Sequence, residues 1–247
     1  MSTLPVRVPT QFSIIAHRGA SAYAPENTLA AFRLAERMGA TEIELDVQFS
    51  RDRQLVIVHD ETLDRYGYPS LASADLTWTE LQTLDMGSWF SPYLYRGEQM
   101  LRLDQLFQIF RNRFIYHIEL KTPSLDLPQA VLTCVDNFGL NANAIITSFH
   151  FDLLIRVRAL APQQRVGWLL KTGEFTNENI TRAANAGFFQ ICPIARETTL
   201  DLVTRAHQLL PVRAHTVKGL DDMRQALETG CDGLTINWPD WLIHGSP

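Results

Sequence analysis

The 247-residue sequence predicts a single (β/α)8 barrel, and three observations carry that reading. After residue 10, short runs of β-formers alternate with helix-like blocks through brief connections, the rhythm of parallel strands joined by crossover helices. A length near 250 residues suits one such barrel, and no Pro/Gly-rich linker divides the chain, so residues 1–247 read as one domain. Four of the strand-like runs end in polar clusters: His17-Arg18-Gly19, Glu44-Leu45-Asp46, His59-Asp60 and Glu119-Leu120-Lys121. A barrel collects such ends on its C-terminal rim, whereas an open doubly wound sheet would not gather so many consecutive ones.

The first strand is SIIAHR at 13–18, followed by a helix over about 26–38, then TEIELDVQF at 41–49 and LVIVHD at 55–60. Only about eight residues separate these last two strands, too few for a crossover helix, so one barrel helix is expected to be missing there. Residues 61–102 break the alternation with one short helix near 79–84 and an aromatic loop, which reads as an insertion over the barrel mouth. Trp89, Phe90, Tyr93 and Tyr95 either pack that insertion onto the barrel, the favoured reading, or touch a ligand or lipid surface. The alternation then resumes. Helices are expected over 103–111, 128–138, 152–159, 177–186, 199–209 and 221–229, with strands FIYHIEL, AIITSF, RVGWLL, FQICPI, VRAHTV and DGLTIN between and after them. That makes nine strand candidates for eight places. Either the last is a terminal extension or two early ones share a place.

Strand alternation puts Glu42, Glu44, Asp46 and Gln48 on one face and Ile43, Leu45, Val47 and Phe49 on the other. The apolar face packs under helices, so the carboxylates point inward, where unpartnered charges cost several kcal/mol each. An isolated Glu-x-Asp reads first as an ion-paired structural element. The repetition of the pattern in His117, Glu119 and Lys121, with His17 and His59 ending two further strands, argues instead for a site.

Apolar content of 46% and charged content of 20% describe an ordinary globular protein. A net charge of −5 and the lack of any Lys/Arg run exclude general attraction to nucleic acid. Cys134, Cys192 and Cys231 are far apart without Cys-x-x-Cys spacing, so buried free thiols are expected. The first twelve residues lack the apolar core of a signal peptide, and no stretch approaches a membrane span, so a cytoplasmic protein without stable membrane insertion is expected.

Three segments, HRGASAYAPENTLAAF at 17–32, GATEIELDVQFSRDRQLVIVHDETLDR at 39–65 and HIELKTP at 117–123, closely resemble the glycerophosphodiester phosphodiesterase family. LDMGSWF at 84–90, TSF at 147–149 and GCDGLTINWP at 230–239 are similar to further family segments. The resemblance implies a phospholipase-C-like barrel. It implies that Glu44, Asp46 and Glu119 bind one divalent cation, Mg²⁺ or Ca²⁺, that His17 and His59 form the acid and base pair, that Arg18 clamps the phosphate and that Lys121 supports it. The implied substrates are small glycerophosphodiesters such as glycerophosphocholine or glycerophosphoethanolamine, cleaved to sn-glycerol 3-phosphate and an alcohol. The sequence departs from the family at Tyr66-Gly67-Tyr68, often a Thr- and Gly-rich turn, at His215 for an aromatic, at Lys218 for an asparagine and at Asn237 for an aspartate.

Three carboxylates in one coordination shell repel each other, and a hard cation held by oxygen converts that repulsion into binding; zinc would want nitrogen or sulfur. Two imidazoles suit removal of a proton from the nucleophile, either the glycerol 2-hydroxyl or water, and delivery of one to the leaving oxygen. Which histidine starts as base stays open. His117 reads equally as a supporting residue of the site or a satisfied core histidine, while His150, His207 and His244 read as surface or capping residues. Glu26 or Asn27 reads as the start of the first helix and also as orienting the His-Arg-Gly loop, and Gly19 as letting backbone N–H groups approach a ligand or as a plain tight turn. Two rivals are a lysophospholipase D, motivated by the aromatic loop, and a non-catalytic phosphate-ligand module, which would be expected to have lost a histidine or carboxylate that this chain keeps.

Overall fold

A strand cannot pair in parallel with its predecessor until the chain has crossed back, and the amphipathic helices of this sequence supply those crossings. The computed structural model describes residues 8–243; His244 and most of the segment read for a leader lie outside them. Strand β1 (Ser13–His17) leads through α1 (Leu29–Arg37) to β2 (Glu42–Phe49), its parallel neighbour. The chain then doubles back. Strand β3 (Leu55–Ile57) runs antiparallel to β2, and β4 (Leu101–Arg102) runs antiparallel to β3, with the short helix α2 (Trp78–Leu81) in the insertion between them.

From there α3 (Leu103–Phe110) delivers the chain to β5 (Ile115–Leu120), and the alternation continues through α4 (Leu127–Asn137), β6 (Ala144–Ser148), α5 (Phe151–Leu160), β7 (Arg165–Leu169) and α6 (Asn177–Asn185). It ends with β8 (Gln190–Cys192), α7 (Leu200–Ala206), β9 (Arg213–Ala214), α8 (Leu220–Glu228), β10 (Gly233–Ile236) and α9 (Pro239–Ile243). The order of paired strands is β8-β7-β6-β5-β2-β1-β10-β9, and the parallel bridges Ile191–Val212 and Ile194–His215 bring β9 back to β8.

Eight parallel staves therefore form the barrel, and the ninth sequence candidate is β3, an antiparallel arm outside the ring. No barrel helix is missing: α3 makes the crossing from β2 to β5, so the short spacing after β2 marks a hairpin.

Helix α1 shows how local sequence sets an element. Ala31, Phe32 and Ala35, spaced three and four apart, form its buried face, and the Thr28 hydroxyl caps the start by accepting from Ala31 N at 3.4 Å. It begins at Leu29 rather than 26 because Asn27 sits at φ 59°, outside helical geometry. The insertion and the β3 arm share a small core, with Val56, Val58, Leu63, Tyr66, Leu81, Met86 and Met100 buried together. The three cysteines are free, Cys134 only half-buried. His150 precedes α5, and His207 ends α7, paired with Asp232 at 2.9 Å. Among the described residues no helix is long and apolar enough to cross a membrane.

Candidate active site

Register does much of the assembly at the C-terminal rim. His17 on β1 lies opposite Glu44 on β2, and Asp46 lies opposite Glu119 on β5. Glu44, Asp46 and Glu119 each bring a carboxylate oxygen within 4.8 Å of the others. Packed this closely they cannot all ionise freely. Burial, reinforced by the Asp46 and Glu119 charges, holds Glu44 well above the usual carboxylate range, and burial with Asp46 pushes Glu119 up to about 7. Burial alone would raise Asp46 too, but Arg18 and Lys121 outweigh it and hold this carboxyl below its usual range.

The donor set fits a hard divalent cation. It is oxygen only, and Asp46 Oδ1 is buried without a hydrogen-bond partner among the described residues. The Lys121 ammonium lies 2.8 Å from Glu119 Oε1 and 3.6 Å from Asp46 Oδ1, bracing the back of the cluster.

Arg18 does two things at once. Its backbone sits at φ 55° and donates to Glu44 O at 2.9 Å, so the strand ends there and the side chain swings inward. Its guanidinium is held by Glu26 Oε2 at 3.0 Å and Asp46 Oδ2 at 3.1 Å, yet it still lines the pocket. Both Glu26 and Asn27 orient this loop: Asn27 N donates to Arg18 O at 3.0 Å, and its Nδ2 donates to Asp46 Oδ2 at 2.8 Å. Gly19 serves packing. Its N–H donates to Ala16 O at 3.2 Å, and a Cβ there would meet the Ala31 carbonyl carbon at 2.6 Å.

The two histidines face one pocket of about 310 Å³ together with Arg18, Glu44 and Glu119. His17 Nδ1 is 2.6 Å from Asn237 Oδ1; with that oxygen as acceptor, Nδ1 carries the proton and Nε2 keeps its lone pair. Burial, with Arg18 beside it, pulls this imidazole down to about 3. His59, in the loop after β3, donates from Nδ1 to Asp60 Oδ1 at 2.6 Å, and Arg65 Nε holds the other Asp60 oxygen at 2.9 Å. Burial lowers His59 as well.

Five of the seven residues singled out in sequence line the pocket, while Asp46 and Lys121 stand behind its wall. His117 lies elsewhere: its Nε2 pairs with Glu42 Oε2 at 2.8 Å beside a second cavity, on the N-terminal side of the barrel. Sequence reasoning missed three supports. Gln48 Nε2 lies 3.0 Å from the carbonyls of Val58, His59 and Asp60 and so positions the His59 loop. Asn237 holds His17, and the buried Arg213 lines the pocket floor, where its Nη1 donates to Thr235 Oγ1. Period-two alternation signals Gln48, two residues beyond Asp46, and pairs Arg213 with His215; Asn237 stands out in sequence only as a departure from the family, and its partner lies 220 positions away.

The aromatic loop packs on the barrel. Trp89 meets Tyr66 and Phe90 edge-on, Phe90 meets Tyr95, and Tyr95 Oη donates to Tyr23 O at 2.9 Å; Tyr93 alone of the four is freely exposed, and none lines the pocket.

The family model for the glycerophosphoryl diester phosphodiesterase family matches residues 17–241. YhdW of Bacillus subtilis is 35% identical over 93% of this chain and 96% of its own length. A glycerophosphodiester phosphodiesterase of Caldanaerobacter subterraneus is 31% identical over 94% of this chain and 96% of its own. A phosphodiesterase of Oleispira antarctica, solved in complex with the product sn-glycerol-3-phosphate, has the same fold, with a TM-score of 0.86 at 24% identity over 94% of this chain and 96% of that one.

Proposed function

Because the chain belongs to the glycerophosphoryl diester phosphodiesterase family and is a glycerophosphodiester phosphodiesterase, we propose that the rim pocket cleaves deacylated phospholipids to sn-glycerol 3-phosphate and a free alcohol, using one divalent cation and the His17 and His59 pair. The observation that carries this is the meeting of His17, His59, Arg18, Glu44 and Glu119 around a single opening, with Asp46 just behind its wall completing the cluster of three carboxylates. Glu44, Asp46 and Glu119 would hold the cation. When bound it would neutralise the phosphodiester and raise the electrophilicity of phosphorus.

Arg18 supplies planar donors to the phosphate oxygens while Glu26 and Asp46 fix its plane. His17, neutral and with Nε2 free, takes the proton from the nucleophile, which is water or the glycerol 2-hydroxyl; where the hydroxyl attacks, the alcohol leaves with a cyclic phosphate behind it, and water then opens that ring to sn-glycerol 3-phosphate. His59 delivers a proton to the leaving alcohol oxygen, its cationic form stabilised by Asp60. Asp60 in turn is fixed by Arg65. Replacing His17 or His59 by alanine should each lower kcat by about 10² or more with little change in KM, measured by release of glycerol 3-phosphate. Turnover close to wild type in either variant would remove that histidine from the chemistry.

A further inference from the structure

The pocket has two unlike walls. One carries the carboxylates, the histidines and Arg18; the other is built by Phe149, Leu169, His215, Thr216, Val217 and Lys218. Lys218 is exposed and is the sole one of these six residues with a permanent charge; Arg213, the other permanent cation on this side, is buried at the pocket floor and donates to Thr235 Oγ1. Among the described residues no carboxylate pairs with its ammonium. Asp222 accepts the Lys218 backbone N–H at 2.7 Å and does not line the pocket. The two carboxylates that do line it, Glu44 and Glu119, belong to the opposite wall and to the cation cluster.

Nothing on the second wall suits a cationic head group. Recognition of a quaternary ammonium calls for exposed aromatic faces or a carboxylate, and here the only aromatic carbocycle is Phe149, packed edge-on to His215 at 5.6 Å. All glycerophosphodiesters share glycerol and one phosphate, so an extra fixed charge at the rim can discriminate only through the alcohol.

We infer that Lys218 makes the pocket select glycerophosphodiesters whose alcohol is an uncharged polyol or an anion over those whose alcohol carries a quaternary ammonium. This rests on the reading of the pocket given above. One exposed, solvent-screened charge gives a preference of roughly three- to tenfold, and added salt should shrink it.

The experiment compares kcat/KM for glycerophosphoglycerol and glycerophosphocholine, with the cation supplied, in the wild type, Lys218→Met and Lys218→Glu. Thermal melts would check that the variants fold, as substitution at an exposed rim position should allow. The expected result is a preference for glycerophosphoglycerol in the wild type that falls towards unity in Lys218→Met, reverses in Lys218→Glu and weakens in the wild type between low salt and 0.5 M salt. Turnover of both substrates in an unchanged ratio across the three proteins overturns the inference and leaves the reading of the site standing. Failure of the wild type to turn over either substrate overturns the reading of the site, and the inference falls with it.

Discussion

Gly19 is a residue whose identity follows from backbone geometry and close packing together. Its φ of +84° lies where side chains are strained, and a Cβ would stand 2.6 Å from the Ala31 carbonyl carbon in α1. Gly19→Ala should therefore lower the free energy of unfolding by about 2 kcal/mol or more in urea denaturation; a loss below ~0.5 kcal/mol would show that the loop relaxes away from the helix. His215 supplies a second residue-scale test. Burial and Arg213 hold its imidazole at about 3 in the fold, while in the unfolded chain it titrates near 6.5. The unfolded state then binds a proton that the folded state refuses, so stability contributed at neutral pH is lost as pH falls from 6.5 towards 3. His215→Gln should flatten the dependence of stability on pH across that window by up to about 1.4 kcal/mol per pH unit, and an unchanged slope would contradict the assignment. At this scale the sequence is readable where alternation dictates a face, as for Glu44, Asp46 and Glu119. It is unreadable for Asn237, whose role depends on a partner 220 positions away.

Among the elements, the β2–β3 hairpin decides where His59 stands. LVIV reads as a barrel strand because its run of β-formers is indistinguishable from that of a stave; the tight spacing after Phe49 is the signal that it turns back. Gln48 fastens the arm by donating to the carbonyls just beyond β3. Gln48→Ala should leave the barrel folded and lower kcat about tenfold or more through a loosened His59, with KM little altered. Full kcat with only a lowered melting temperature would make this contact purely structural. Helix α1 teaches the complementary lesson: its apolar spacing fixes the buried face, but its start moves because Glu26 and Asn27 are drawn onto Arg18 and Asp46.

For the whole molecule, the barrel is legible because parallel strands demand crossover helices and the chain displays that alternation almost throughout. The count of staves was not, since one candidate lies outside the ring. Closure carries the carboxylates of β2 and β5 beside the histidines of β1 and the β3 arm, and their crowding calls for a cation. That demand is tested most directly by the rate of glycerol 3-phosphate release from a glycerophosphodiester by chelator-stripped protein, alone and with Mg²⁺ or Ca²⁺ restored, in the wild type and in Asp46→Asn. The predicted result is almost no turnover without cation, recovery on its return, and a need for at least about tenfold more cation in the folded variant. Full turnover by the stripped wild type, or recovery of Asp46→Asn at the wild-type cation concentration, would contradict it.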